Sequence, residues 1–89
     1  MVRVSFPQVL QRHVACPPVD VEARTVREAL EAAFAVYPRV RGYLFDDGGA
    51  LRQHVTVFVD GDVVTNPTTL AQKVRAEARV DVLQALSGG

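Results

Sequence analysis

The sequence predicts an α+β domain, a mixed sheet of about five strands with one main helix packed across it. Three observations lead there. Apolar and polar residues alternate with the period of a strand near the start of the chain, in its middle and near its end. One stretch, 25–37, carries a strong helical period. The chain has 89 residues, 48% of them apolar, which is enough for one core and one domain. A sheet and a helix that each have one apolar side hide those sides most compactly against each other.

The elements follow in order. In 2–6, Val2, Val4 and Phe6 alternate with Arg3 and Ser5, a strand with one buried face. Pro7 cannot donate to a ladder, so pairing weakens there. Residues 8–16 form a connection without a clear pattern, and Pro17-Pro18 favours extended chain. Val19-Asp20-Val21-Glu22 alternates again, and the two strands make a hairpin with a long loop. Thr25-Val26-Arg27-Glu28 fits a capping box, in which two side chains satisfy free backbone N–H groups at a helix start. Val26, Leu30, Ala33, Phe34 and Tyr37 then form an apolar stripe, and Pro38 stops the helix. In 39–45 a short turn is expected, with Val40, Tyr43 and Leu44 tucked under the sheet. Asp46-Asp47-Gly48-Gly49 is a turn cluster. Residues 54–59, His-Val-Thr-Val-Phe-Val, are a strand by composition, and Asp60-Gly61 is a hairpin turn leading to a brief return strand at 62–64. After a loop at 66–69, the spacing of Leu70, Val74 and Ala78 predicts weak helix over 70–78. Residues 80–86 read as the last strand. The domain is expected to span 1–86, with 87–89 a loose tail.

Charge and cysteine content exclude several functions. Ten basic residues balance ten acidic ones, so the chain lacks the positive footprint that nucleic acid or an anionic membrane requires. Its single cysteine, Cys16, excludes a disulfide framework and a multi-cysteine metal site, and sits more easily in a reducing compartment. Cys16 lies in a proline-rich loop with no evident helix N-terminus to lower its pKa, so it is read as incidental rather than as a nucleophile or sulfur relay. His13 and His54 lack the further ligands that a four-coordinate metal needs. Asp46, Asp47, Gly48 and Gly49 lack the spacing of a calcium or phosphate loop. Asp20, Glu22 and Asp81 make no recognisable acid–base pair. Arg39, Arg41 and Arg52 are read as solvated charges or as a basic rim facing an acidic partner. No apolar run approaches a membrane span, and the start of the chain lacks a signal-peptide layout. A soluble cytoplasmic protein is expected.

The element order, with Gly88-Gly89 after the last strand, resembles the β-grasp fold of ubiquitin. It resembles the MoaD/ThiS-type ubiquitin-like sulfur carriers more closely. The residues behind this are His54-Val55-Thr56-Val57-Phe58-Val59-Asp60-Gly61, the ending Ala85-Leu86-Ser87-Gly88-Gly89, and the opening Val4-Ser5-Phe6-Pro7 with Leu10, which is most similar to cysteine-pathway carriers. The resemblance covers nearly the whole chain. The chain departs from the family at Ala76-Glu77-Ala78-Arg79, where such carriers often have Asp-Gly-Asp, and at Gln84, where they often have proline.

The resemblance implies a co-substrate rather than an enzyme. A partner adenylating enzyme uses ATP to activate the carboxylate of Gly89. Sulfur then replaces AMP to give a thiocarboxylate, and a downstream enzyme accepts the sulfur for cysteine, molybdopterin or a related product. No cofactor is bound by the chain itself. Gly88 and Gly89 lack a Cβ, which suits passage through a narrow channel. The expected docking residues are Phe58 and Leu83, an exposed apolar patch on the sheet face away from the helix, with Leu86 and Ser87 at the base of the tail. Two other readings stay open at this point. The chain is a ubiquitin-like modifier or a plain β-grasp interaction module, or it is the small subunit of an enzyme such as molybdopterin synthase.

Overall fold

The computed structural model describes residues 1–64, 66 and 70–84. The elements in chain order are β1 (Val2–Ser5), α1 (Gln8–Gln11), β2 (Val19–Val21), α2 (Val26–Val36), α3 (Pro38–Leu44), β3 (Val55–Val59), β4 (Asp62–Val63) and β5 (Arg79–Gln84). The strands form one mixed sheet in the order β2-β1-β5-β3-β4. β1 and β5 run parallel at its centre, and every other pair is antiparallel.

Register explains the core. Val4 lies opposite Val80, and Val57 opposite Val82. Alternation therefore puts Val2, Val4, Val55, Val57, Val59, Val80 and Val82 on one face, and all seven are buried. Against that face lies α2, whose Val26, Ala29, Leu30, Ala33 and Phe34 are buried as the stripe in the sequence requires. Each large apolar side chain so buried contributes roughly 1.5–3 kcal/mol. Tyr37 lies at the margin of this core. Its hydroxyl donates to the Pro17 carbonyl at 3.0 Å, and its ring meets Phe6 edge-on.

The capping residues act as expected, with one displacement. Thr25 Oγ1 accepts from the Glu28 N–H at 3.1 Å. The Glu28 carboxylate reaches back to the Arg24 N–H, one residue earlier than a capping box requires. The Asp60-Gly61 turn has φ of +50° and +90°. Both angles are positive, the pattern of the two-residue turns that match strand twist.

Three expectations are corrected, at 39–45, at Tyr43 and at 70–78, and one connection without a pattern in the sequence gains a shape. The connection at 8–16 contains a one-turn helix, α1, because Pro7 supplies the fixed extended backbone ahead of it and Leu10 and Val14 reach the core from one side. Residues 39–45 form a true helix, α3, since proline is well accepted at the first helical position. Val40 and Leu44 are buried there as expected. Tyr43 is 39% exposed and stacks on His13 at 6.0 Å instead of entering the core.

The third correction concerns 70–78, which is not helical: Lys73 bridges to Thr25, and 75–78 closes a turn through the Ala78 N–H and the Arg75 carbonyl. Its backbone is committed elsewhere. The Val26 N–H donates to the Gln72 carbonyl at 3.0 Å, and the Arg27 N–H to the Leu70 carbonyl at 2.9 Å. In return the Val74 N–H donates to the Arg24 carbonyl at 2.9 Å. The first turn of a helix leaves its N–H groups without internal partners, and the connector supplies two of them. Leu70 is fully buried at φ +55°, so packing holds it in a region that leucine otherwise avoids. The spacing of four between Leu70, Val74 and Ala78 thus marks three points of attachment on an irregular connector, with Leu70 and Ala78 buried and Val74 partly buried.

Candidate functional site

The sheet face away from α2 carries Thr56 and Phe58 from β3, and Asp81 and Leu83 from β5. Thr56 lies opposite Leu83, and Phe58 opposite Asp81. Phe58 and Leu83 are therefore diagonal neighbours, within reach of one another for side chains of their size. Leu83 is 51% exposed, as the sequence predicted. Phe58 is half-buried rather than exposed, which corrects one expectation. It lies in the floor of a groove whose wall is α1.

This groove, of about 1070 Å³, is lined by Pro7, Val9 and Arg12 on the wall side and by Phe58, Leu83 and Gln84 on the sheet side. The amide of Gln11 fixes the wall. It donates from Nε2 to the Cys16 carbonyl at 2.6 Å and accepts from the Cys16 N–H at 3.0 Å, a two-bond clasp that mimics strand pairing. Sequence reasoning missed this wall. The signal was Pro7 followed by Leu10 and Val14 at a helical spacing, in a stretch too short to stand out.

Gln84 is the last described residue at this end of the chain. Residues 85–86, expected to finish the last strand, and Leu86, Ser87, Gly88 and Gly89 lie outside the described residues. So does the expected domain limit at 86 with the 87–89 tail.

The other candidates resolve into structural roles. Cys16 is fully buried, and burial pushes its thiol up, away from the thiolate a nucleophile needs. His54 is exposed just before β3. Among the described residues, no group of three His, Cys, Asp or Glu could hold a metal ion. Asp46 Oδ1 accepts from the N–H groups of Gly48 and Ala50 at 2.9 and 3.1 Å, so it braces its own turn. Asp20 receives two hydrogen bonds from Arg3 across the β1–β2 pair, and these hold its carboxyl below the usual range. Arg41 pairs with Glu31 and lies over the rings of Phe34 and Phe45, and Arg52 donates to the Gly42 carbonyl. Two of the three arginines of the expected rim are thus engaged within the fold, while Arg39 is exposed. Among the described residues, no helix is long and apolar enough to cross a membrane.

Fold and groove can now be set beside known proteins. The sequence pattern of the ThiS family matches residues 11–89. The chain belongs to the ThiS family. Solved structures place this ThiS-family chain in the β-grasp, ubiquitin-like fold. The crystal structure of SAMP1 from Haloferax volcanii is 26% identical, with a TM-score of 0.79 over 99% of this chain and 98% of that one. Mycobacterium tuberculosis CysO is 25% identical, with a TM-score of 0.80 over 97% and 100% of the two chains. The Amycolatopsis orientalis BexX/CysO complex contains a chain 23% identical, with a TM-score of 0.83 over the full length of both, a likeness of fold. No curated protein matches the chain in sequence. Family and neighbours together make this ThiS-family chain a small ubiquitin-like protein of the sulfur-carrier or modifier kind.

Proposed function

We propose that the chain is a sulfur carrier whose Gly89 carboxylate is adenylated and then converted to a thiocarboxylate. One observation carries this reading. The family match runs to residue 89 and so takes in the Gly88-Gly89 ending as well as the folded body. A carboxylate is a poor electrophile and cannot accept sulfur directly. Transfer of AMP from ATP gives it a leaving group, and a sulfur nucleophile then displaces AMP. Sulfur donation to an acceptor regenerates the carboxylate. ATP is used by the partner adenylating enzyme, and the chain is a co-substrate that binds no cofactor of its own. Gly88 carries no Cβ that would obstruct a narrow channel to the partner's reacting centre. Phe58 and Leu83 on the body, with Leu86 and Ser87, supply the grip. ATP-dependent activation belongs in the cytoplasm. The sulfur serves biosynthesis of cysteine, molybdopterin or a related product, and the resemblance of Val4-Ser5-Phe6-Pro7 favours cysteine.

The test is intact mass. Incubation with an adenylating enzyme, ATP and a sulfur donor should raise the mass by the ~16 Da that separates oxygen from sulfur, and removal of Gly89 should abolish the change. A panel of such enzymes that leaves the mass unaltered would sink the reading. The name of the SAMP1 neighbours, small archaeal modifier protein, supports a second one, attachment to other proteins. A ladder of larger conjugates in cells, lost with Gly89, would favour it.

A further inference from the structure

We propose that Arg12 reads an acidic side chain on the activating enzyme, and that the groove beside it takes an adjacent apolar side chain of that enzyme. This rests on the sulfur-carrier reading and names the chemistry of the partner surface that the carrier fits.

The apolar part of the groove lining is made by Phe58, Leu83, Val9 and Pro7. Its lining holds one charged side chain, Arg12, and no carboxylate. That balance is local, because the chain as a whole has as many acidic as basic residues. Most arginines of this chain are committed. Arg3 holds Asp20, Arg41 holds Glu31, Arg75 holds Asp60, Arg79 holds Asp81, and Arg52 holds the Gly42 carbonyl. Arg12 is exposed, and while its backbone N–H donates to the Leu10 carbonyl, its side chain makes no hydrogen bond or ion pair among the described residues. Its guanidinium offers a planar, permanently charged fork, the group best matched to a carboxylate. Its position is fixed from behind, since Arg12 directly follows Gln11, whose clasp on Cys16 anchors this end of α1.

Position decides the occupant. Gln84 lies on the groove rim and leads directly into the five residues that end at Gly89. An enzyme that acts on Gly89 must hold the body beside that point, and slender terminal glycines offer it little area to hold. An apolar anchor in a pocket with a charge at its margin is the usual form of such a grip.

The test uses the adenylating enzyme that produces the 16 Da increase with the unaltered chain. Its affinity for Arg12→Glu, Arg12→Ala and Arg12→Lys is measured by calorimetry at low and high salt, with Arg39→Glu as a control away from the groove. Arg12→Glu should weaken binding at least tenfold, about 1.4 kcal/mol. Arg12→Ala should weaken it less, Arg12→Lys least, and Arg39→Glu should bind as the unaltered chain does. Added salt should erase most of the difference between Arg12→Glu and Arg12→Ala. Equal binding by Arg12→Glu, or an equal loss in Arg39→Glu, would overturn the proposal, as would Arg12-dependent dimers of the chain alone in sedimentation. If no enzyme activates the unaltered chain, the sulfur-carrier reading fails first, and that result is distinct from either.

Discussion

Thr25 and Asp60 are short polar side chains whose oxygens take up backbone N–H groups that would otherwise go unpaired. Thr25 serves Glu28 at the start of α2, so Thr25→Ala should cost about 1 kcal/mol in urea unfolding. A midpoint unchanged within error would show that the cap contributes nothing. Asp60 accepts from the Arg79 N–H at 3.0 Å and from the Arg75 guanidinium at 3.1 and 3.4 Å. The backbone bond from Arg79 is the first reason its carboxyl lies below the usual range, with Arg75 adding to it. The folded carboxyl is therefore harder to protonate than the unfolded one, whose pKa is about 3.9. The stability this gives is present above that value and is lost as pH falls through the lower, folded one. Asp20, held by Arg3, acts in the same direction. Asp60→Asn keeps a residue suited to the positive-φ turn and removes only the charge. Its urea midpoint should fall less than that of the unaltered chain between pH 6 and pH 3, and an equal fall would refute the role. Thr25 was legible because its partner lies three residues away. Asp60 read only as a turn residue, because its partners, Arg75 and Arg79, are distant in sequence.

At the scale of elements, the connector and the start of α2 form one unit. Leu70 and Gln72 offer carbonyls to the helix, and Arg24 returns one to Val74. Val74→Pro removes the N–H of that last bond and should cost about 1–3 kcal/mol, the usual penalty for a carbonyl left unpaired. In hydrogen exchange the amides of Val26, Arg27 and Val74 should open together, and a Val74 amide that exchanges freely while the helix stays protected would break the link. Sequence periodicity failed here because it sees only local spacing. Leu70, Val74 and Ala78 have helical spacing, but their backbone bonds are taken by another element, and no local pattern records that. α1 was hidden for another reason, since four residues are too few to show a period, and 39–45 is a helix rather than a turn because Pro38 suits its first position. α2 and the strands were legible, because each carries an apolar pattern long enough to fix its own buried face. The groove was half-legible. Leu83 was expected to face outward and does, while Phe58 is shielded by a wall the sequence did not announce.

For the molecule as a whole, the direction of the two central strands has a practical outcome. β1 and β5 run the same way, with Arg3 beside Arg79 and Ser5 beside Asp81. Met1 therefore lies where β5 begins, and Gln84 lies where β5 finishes, about 16 Å further on at ~3.3 Å per residue. Anything joined ahead of Met1 leaves from the pole opposite Gln84. A bead, dye or purification handle attached there should leave the 16 Da mass increase as fast as in the bare chain, whereas the same handle placed after Gly89 should prevent it. An amino-terminal handle that slowed the increase tenfold would mean that the partner reaches around both poles.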